Sequence, residues 1–203
     1  MDKPTLSGEL VVLRPIRPGD APGMWEMVSD PEGRRMAGTT AHYTRKQIDK
    51  WCATVARRAG RLDLAITTAG SEEFLGEIVL NEIDAVDANA NLRLSMRPAH
   101  RGRGLGTEAI SLVLAHAFAA PPAGLGLHRV WLQVLSINPR ARILHESLGF
   151  VLEGRLRESH RDGEFWCDSI VMAILEDDYR ARVAEPAGEA TAEPPSTGPT
   201  VER

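Results

Sequence analysis

The chain has 203 residues, 43% hydrophobic, 26% charged and 5% aromatic, with a formal net charge of −4. That length buries one sizeable core, and no run of 18 apolar residues is present to cross a membrane. Most of the net negative charge sits in the last twenty residues, which leaves a nearly neutral body and argues against nucleic-acid binding driven by bulk charge.

Residues 1–9 read as an N-terminal segment without the apolar stretch of a leader, which points to a cytoplasmic address. ELVVLRPIRP reads as a first strand ended by Pro15 and Pro18. Asp20 and Pro22 open a helix, with Asp20 expected to accept from first-turn amides. Met24, Trp25, Met27 and Val28 give its apolar stripe, and Asp30-Pro31 ends it. A second helix opens at Thr44, where Thr44 and Gln47 have capping-box spacing, and runs through Ile48, Trp51, Cys52 and Val55 to Gly60.

LDLAITT and FLGEIVL flank the turn-rich AGSEE as a hairpin, DAVDANAN is a polar loop, and LRLSMRP alternates as a strand. A glycine-rich turn follows, then a helix whose stripe is Ile110, Val113, Leu114, Ala117 and Phe118. PPAGLG breaks that helix and HRVWLQVL is another strand. Asn138-Pro139 opens the next helix as N-cap and first residue, and Gly149 suits its left-handed end.

FVLEGRLRESHRDGEFWCDSIVMAIL gives two strands around Asp162-Gly163, with Trp131, Phe165 and Trp166 read as core. Cys52 and Cys167 fit no ligand or disulfide spacing and are read as buried thiols, so no metal site is expected. The domain is taken as 10–178. Residues 184–203, rich in Pro, Ala, Glu, Thr and Gly, are read as a disordered acidic tail. Strands and helices in this order imply an α+β fold with a mixed, mostly antiparallel sheet.

The turn RPAHRGRGLGTEA (97–109) places glycines between a strand and a helix N-terminus. Backbone N–H groups and the positive helix end converge there, which makes an anion site with phosphate as the usual guest. Arg101 and Arg103 are expected to add charged donors. GxxxxGK[ST] is absent, and Thr107 stands where a dinucleotide fingerprint needs a third glycine.

Arg101-Gly-Arg-Gly104-Leu-Gly106, followed at the right spacing by N-x-x-A-x-x-L-x-E-x-L-G-F over 138–150, resembles the GNAT superfamily of N-acetyltransferases. Within it the chain is similar to the RimJ/RimL branch, from about Leu10 to Leu175. The resemblance implies a sheet splayed between its fourth and fifth strands, here Leu92–Met96 and Val130–Leu135, with acetyl-CoA in the gap. It implies phosphate binding by Arg101, Gly102, Arg103, Gly104, Leu105, Gly106 and Thr107. The pantetheine arm is expected along Leu94, Ser95 and Met96. Asn138 has two readings, contact with the bound arm or helix cap.

The resemblance also implies direct attack of an amine on the thioester, with a carboxylate taking the amine's proton. Glu77, Glu82 and Glu158 are the candidates, and Glu158 leads. A position often acidic in the branch is Asn91 here. His145 stands where relatives carry a tyrosine that protonates the leaving sulfur, and Ala141 where others carry a serine. The acceptor, a small-molecule or peptide amine, is expected against residues 33–44. A homodimer fits the branch, and neither membrane nor nucleic acid is expected as a partner. Two rival readings are a catalytically weak module that senses acyl-CoA, and a ribosome- or RNA-binding protein using Arg34, Arg35, Arg57 and Arg58.

Overall fold

The computed structural model describes residues 3–184. Eight strands make one sheet: β1 (Leu6–Ser7), β2 (Val12–Pro15), β3 (Leu62–Thr67), β4 (Gly76–Asp84), β5 (Asn89–Met96), β6 (Arg129–Leu135), β7 (Val151–Asp162) and β8 (Phe165–Leu175). Their order is β1-β2-β3-β4-β5-β6-β8-β7, antiparallel throughout except for the β5–β6 pair. This is the mixed, mostly antiparallel α+β arrangement expected from the element order.

Alternation along the strands sorts two cores. Leu64, Ile66, Ile78, Leu80, Leu92, Val130 and Leu132 bury against the stripe of α4 (Leu105–Phe118). On the opposite face Ala65 and Phe74 pack under α1 (Ala21–Ser29) and α3 (Arg45–Thr54), through Met24, Met27, Ile48 and Cys52. Burying each such Leu, Ile or Met stabilises the fold by about 1.5–3 kcal/mol. Cys52 and Cys167 are buried free thiols, and burial pushes Cys52 up to about 12, so it stays a neutral packing group.

Several elements differ from the sequence reading. Asp20 does not cap α1. Its carboxylate turns back to the Arg14 guanidinium at 2.8 and 2.9 Å and accepts from the Arg17 amide at 2.7 Å, because a buried arginine demands a charged partner. Asp30-Pro31, read as a stop, also starts a short helix, α2 (Pro31–Met36), with Asp30 accepting from Gly33 N at 2.8 Å. The polar stretch after β4 is a tight turn, since β5 already begins at Asn89.

Phe165 and Trp166 are exposed, at 76% and 59%, because they lie at the tip of the β7–β8 hairpin beyond any covering helix. A further helix, α6 (Glu176–Ala184), extends past residue 178 and sets Tyr179 against Phe118 at 5.2 Å between ring centroids. Ala184 is therefore helical, and the rest of the expected tail lies outside the described residues.

The segment 1–9 is not separate from the domain, as far as it is described. Leu6 and Ser7 pair with β2, and Lys3 reaches the buried Asp63 at 2.9 Å. The Glu108 carboxylate on α4 accepts from the amides of Glu9, Leu10 and Val11 at 2.7, 2.8 and 2.7 Å. Burial pulls the Glu108 pKa up, and these amides outweigh it, leaving the group below its ordinary range.

Glu108→Gln is expected to lower stability at neutral pH by roughly 1–2 kcal/mol, since bonds to a charged acceptor are the stronger kind. A depressed folded-state pKa means that this contribution is present above the unfolded value and is lost as pH falls through the folded one. Melting curves of both proteins between pH 7 and pH 3 should therefore converge at the acidic end.

Candidate active site

β5 and β6 run parallel for only three pairs, Asn89 with Arg129, Ala90 with Val130 and Asn91 with Trp131. Beyond them the strands part, and Leu92–Met96 has no strand partner on that edge among the described residues. Asn91 sits at the fork, where its Nδ2 donates to the Trp131 carbonyl at 3.4 Å. A gap lined on both sides by backbone polar groups is an unfinished sheet, and those groups need water or a ligand. Leu94, Ser95 and Met96 lie on its β5 lip as expected.

The glycine turn lies just past that lip. Gly102 and Gly104 adopt φ of +73° and +78°, left-handed values that a side chain resists, with Arg103 between them. Gly104 is the N-cap of α4 and offers no side chain to the first-turn amides. Among the described residues, the N–H groups from Gly102 to Thr107 have no protein acceptor. Left-handed residues interleaved with others form an anion-binding nest, here joined to a helix N-terminus. Leu105 is buried beneath it, and Gly106 packs so closely that an added Cβ would lie 3.0 Å from Leu94.

Arg101 departs from its expected role. Its guanidinium pairs with Asp30 at 2.6 Å, donates to the Met96 carbonyl at 3.2 Å and lies 3.7 Å from Glu32. Two carboxylates therefore claim it before any phosphate does. Arg103 is exposed with no protein partner among the described residues, and it is the charged donor left to the nest.

The Arg101–Asp30 pair belongs to a strap. α2 is tied to the β5 side through Asp30. At its other end the Met36 carbonyl accepts from Asn138 Nδ2 at 3.4 Å, and Arg35 grips Asp162 at 2.7 Å. The loop at Gly38 comes so near His160 that a Cβ would lie 3.0 Å from its ring. Residues 30–38 thus span the mouth of the gap, and they include the first half of the 33–44 stretch expected against the acceptor. Sequence reasoning missed the strap, although Asp30-Pro31-x-Gly33 carries a readable N-cap with proline at the first position.

Asn138 caps α5 (Pro139–Ser147) by accepting from Ala141 N at 3.2 Å, so both ends of its amide are engaged within the protein. His145 on α5 is 8% exposed and meets Phe150 edge-on at 5.4 Å. Its Nδ1 is enclosed without a hydrogen bond. Burial lowers its pKa, and the Ala141 carbonyl one turn back offsets this only in part, so the ring is neutral at pH 7.

The three carboxylates separate. Glu82 has φ of +52° in the β4 irregularity past the Asn81–Asn91 pair, exposed and on the side of the fork away from the gap. Glu158 has φ of +49° in a bulge of β7. Its amide donates to Asp168 Oδ1 at 2.6 Å, and Asp168 is fastened to Ser136 at the end of β6. Glu158 is thereby held near the β6 lip, and its side chain is exposed. Glu77 pairs in register with Ser95, at the free edge of β5. No cluster of three or more His, Cys, Asp or Glu suited to a metal occurs among the described residues, and none of their helices is long and apolar enough to cross a membrane.

A splayed parallel pair, a phosphate nest and a facing helix start define an acyl-CoA-binding fold. Residues 11–151 match the acetyltransferase (GNAT) domain family, and the chain belongs to that family. It is 32% identical over 111 residues to spermidine N(1)-acetyltransferase of Vibrio cholerae, a stretch that spans 55% of this chain and 62% of that enzyme. It is 28% identical over 182 residues to the probable N-acetyltransferase YjcK of Bacillus subtilis, across 85% of this chain and 98% of the relative. The crystal structure of the Vibrio cholerae spermidine enzyme with CoA and spermine superposes with a TM-score of 0.77 at 22% identity, over 85% of this chain and 99% of that one.

Arg101→Ala should lower the melting temperature of the ligand-free protein, by an amount equivalent to about 1 kcal/mol for a partly exposed ion pair. An arginine whose business was phosphate alone would leave the ligand-free melting curve where it was.

Proposed function

We propose that the chain is an acetyl-CoA-dependent N-acetyltransferase that passes the acetyl group to a small-molecule amine by direct attack. The observation that carries this reading is the unpaired edge of β5 leading into the Gly102–Thr107 nest. The nest suits a pyrophosphate, with Arg103 as its counter-charge. The free edge at Leu94–Met96 suits the amide-rich pantetheine arm, which would continue the sheet in strand fashion. Together they set the thioester in the gap beneath the strap.

Attack forms the N–C bond and leaves extra charge on nitrogen. As the C–S bond breaks, His145 gives its N–H proton to sulfur and takes the nitrogen's extra proton in return, directly or through water. His145 suits the sulfur end as a neutral N–H donor, because its buried ring rejects the imidazolium form. Asn138 organises the loop between the gap and α5. Named relatives that act on spermidine support a small amine as acceptor in preference to a protein N-terminus. Cytoplasmic residence and the likeness of residues 138–150 to the RimJ/RimL branch fit this chemistry.

CoA or acetyl-CoA at a hundredfold excess over Kd should stabilise the fold by about 2.7 kcal/mol, visible as a thermal shift. Gly104→Asp should abolish that shift while the protein still folds. It puts a negative side chain where the phosphates would lie, at a backbone angle that resists any Cβ. A normal shift in a folded Gly104→Asp protein would move the phosphate site elsewhere. Release of free thiol from acetyl-CoA with an amine panel separates a catalyst from a module that only senses acyl-CoA.

His145→Ala should lower kcat about 10²-fold with little change in the KM for acetyl-CoA. It should also destabilise the protein by roughly 2 kcal/mol, because a buried ring against Phe150 leaves a cavity. His145→Tyr is expected to restore much of the rate. An alanine variant within about threefold of wild type would assign sulfur protonation to water.

A further inference from the structure

Given the acetyl-transfer activity proposed above, we infer that Glu77 is the carboxylate that takes the proton from the incoming amine. Cross-strand partners share a face of the sheet, so Glu77 projects with Ser95, Arg93 and Asn91, opposite the face that packs on α4. Ser95 stands at the free edge of the gap. The Glu77 Cα is therefore one strand spacing, about 4.8 Å, from that edge, within reach of a nucleophile held there directly or through one water.

Its surroundings are those of a proton acceptor and not of a structural ion pair. Glu77 Oε2 is enclosed and has no hydrogen-bond donor, and no salt bridge involves the residue among those described. The neighbouring carboxylate Asp63 on β3 is committed, to Lys3 at 2.9 Å and Arg61 at 2.6 Å. The groups that face Glu77 are Asp63 and Arg61 from the β3 side, Arg93 from β5, and the neutral Cys52 from α3. Burial and the Asp63 charge push the Glu77 carboxyl up to about 7, against the pull of Arg93 and Arg61. A base with that affinity is half ionised where it works and returns its proton to solvent after each turnover. Glu82 and Glu158, both exposed, have no comparable surroundings.

The proton balance is simple. The ammonium form of the acceptor gives one proton to the Glu77 carboxylate and becomes a neutral amine. Nitrogen attacks the carbonyl carbon, the N–C bond forms, and the nitrogen's remaining extra proton goes to sulfur by way of His145 as the C–S bond breaks. Glu77 then releases its proton to water, so one proton is produced for each amide made.

The test pairs Glu77→Gln with two amines, spermidine and hydroxylamine, and with melting curves at pH 5 and pH 8. Hydroxylamine is already neutral at pH 7 and needs no base. The glutamine variant should lose about 10²-fold or more in kcat with spermidine and should lose its rising limb near pH 7. With hydroxylamine it should stay within a few-fold of wild type. Equal losses with both amines, or none with either, would overturn the assignment.

The melting curves decide independently of any acceptor. A carboxyl whose folded-state pKa is raised stabilises the protein fully below its unfolded value, and this is lost as pH rises through about 7. Relative to the glutamine variant, wild type should therefore lose ground between pH 5 and pH 8. A shift in wild type's favour over that interval would make Glu77 a structural anion and sink the proposal. A CoA thermal shift retained in both proteins keeps a negative result distinct from failure of the acetyltransferase reading itself.

Discussion

Parallel strands that pair for three residues and then part leave a row of backbone donors and acceptors with nothing to bond, and the site is organised around that break. An unsatisfied backbone group in a dry interior costs on the order of 1–3 kcal/mol, so the parting is tolerable only at an opening that water or a ligand can fill. The fork is fastened at its base by Asn91, whose amide meets the Trp131 carbonyl. On either side the lips are stiffened from outside the gap. β4 pairs with the whole length of β5, and β8 with the whole of β6. The opening is thus a notch between two strands that are each paired along the outer edge, and preorganisation of this kind suits the extended, amide-bearing chain proposed for it.

The notch needs its two halves kept at a fixed distance, and the cross-links over its mouth supply this. Asp30 is both cap of α2 and partner of Arg101. Arg35, Met36 and Gly38 make the contacts on the far side, to Asp162, Asn138 and His160. Each link is modest, since exposed pairs contribute about 1 kcal/mol or less. Their effect is geometric: a six-residue helix is too short to hold its own shape and is held by the two lips it joins. Glu108 does a related job beside the nest. It fastens the Glu9–Val11 amides to the same helix whose first turn is kept open for an anion.

What the sequence disclosed follows from where the physics is local. The nest was legible because its parts (left-handed glycines, a helix start, a preceding strand) are contiguous and each has a composition signature. The Asn138-Pro139 cap and the Asp162-Gly163 turn were legible for the same reason. The ion pair of Arg101 was not legible because its partner lies 71 residues away, and nothing near Arg101 in sequence records that Asp30 points at it. Glu108 and its three amides are separated by 97 to 99 residues, equally invisible. Phe165 and Trp166 misled because aromatic strand residues are usually buried, and a hairpin tip that outruns its covering helix reverses the expectation.

Four enclosed side-chain polar atoms lack a hydrogen bond among the described residues: Arg14 Nε, Glu77 Oε2, Asn81 Oδ1 and His145 Nδ1. Arg14 is the least anomalous, since Glu72 lies 3.2 Å from that nitrogen. Glu77 and Asn81 share one face of β4, with Asn81 opposite Asn91 at the fork and Glu77 opposite Ser95 at the free edge. His145 rides on the helix that begins at the other lip. Unpaired buried groups are destabilising wherever they occur, and random placement would scatter them through the core. Apart from Arg14 on β2, they gather at a single notch, Glu77 and Asn81 on the β5 side and His145 on the β6 side. A carboxylate kept short of donors holds its proton more tightly, and an imidazole kept out of water refuses a second one. Those are the two states that the proposed transfer asks of Glu77 and His145, and the fold sustains them by leaving its own hydrogen bonding incomplete at that place.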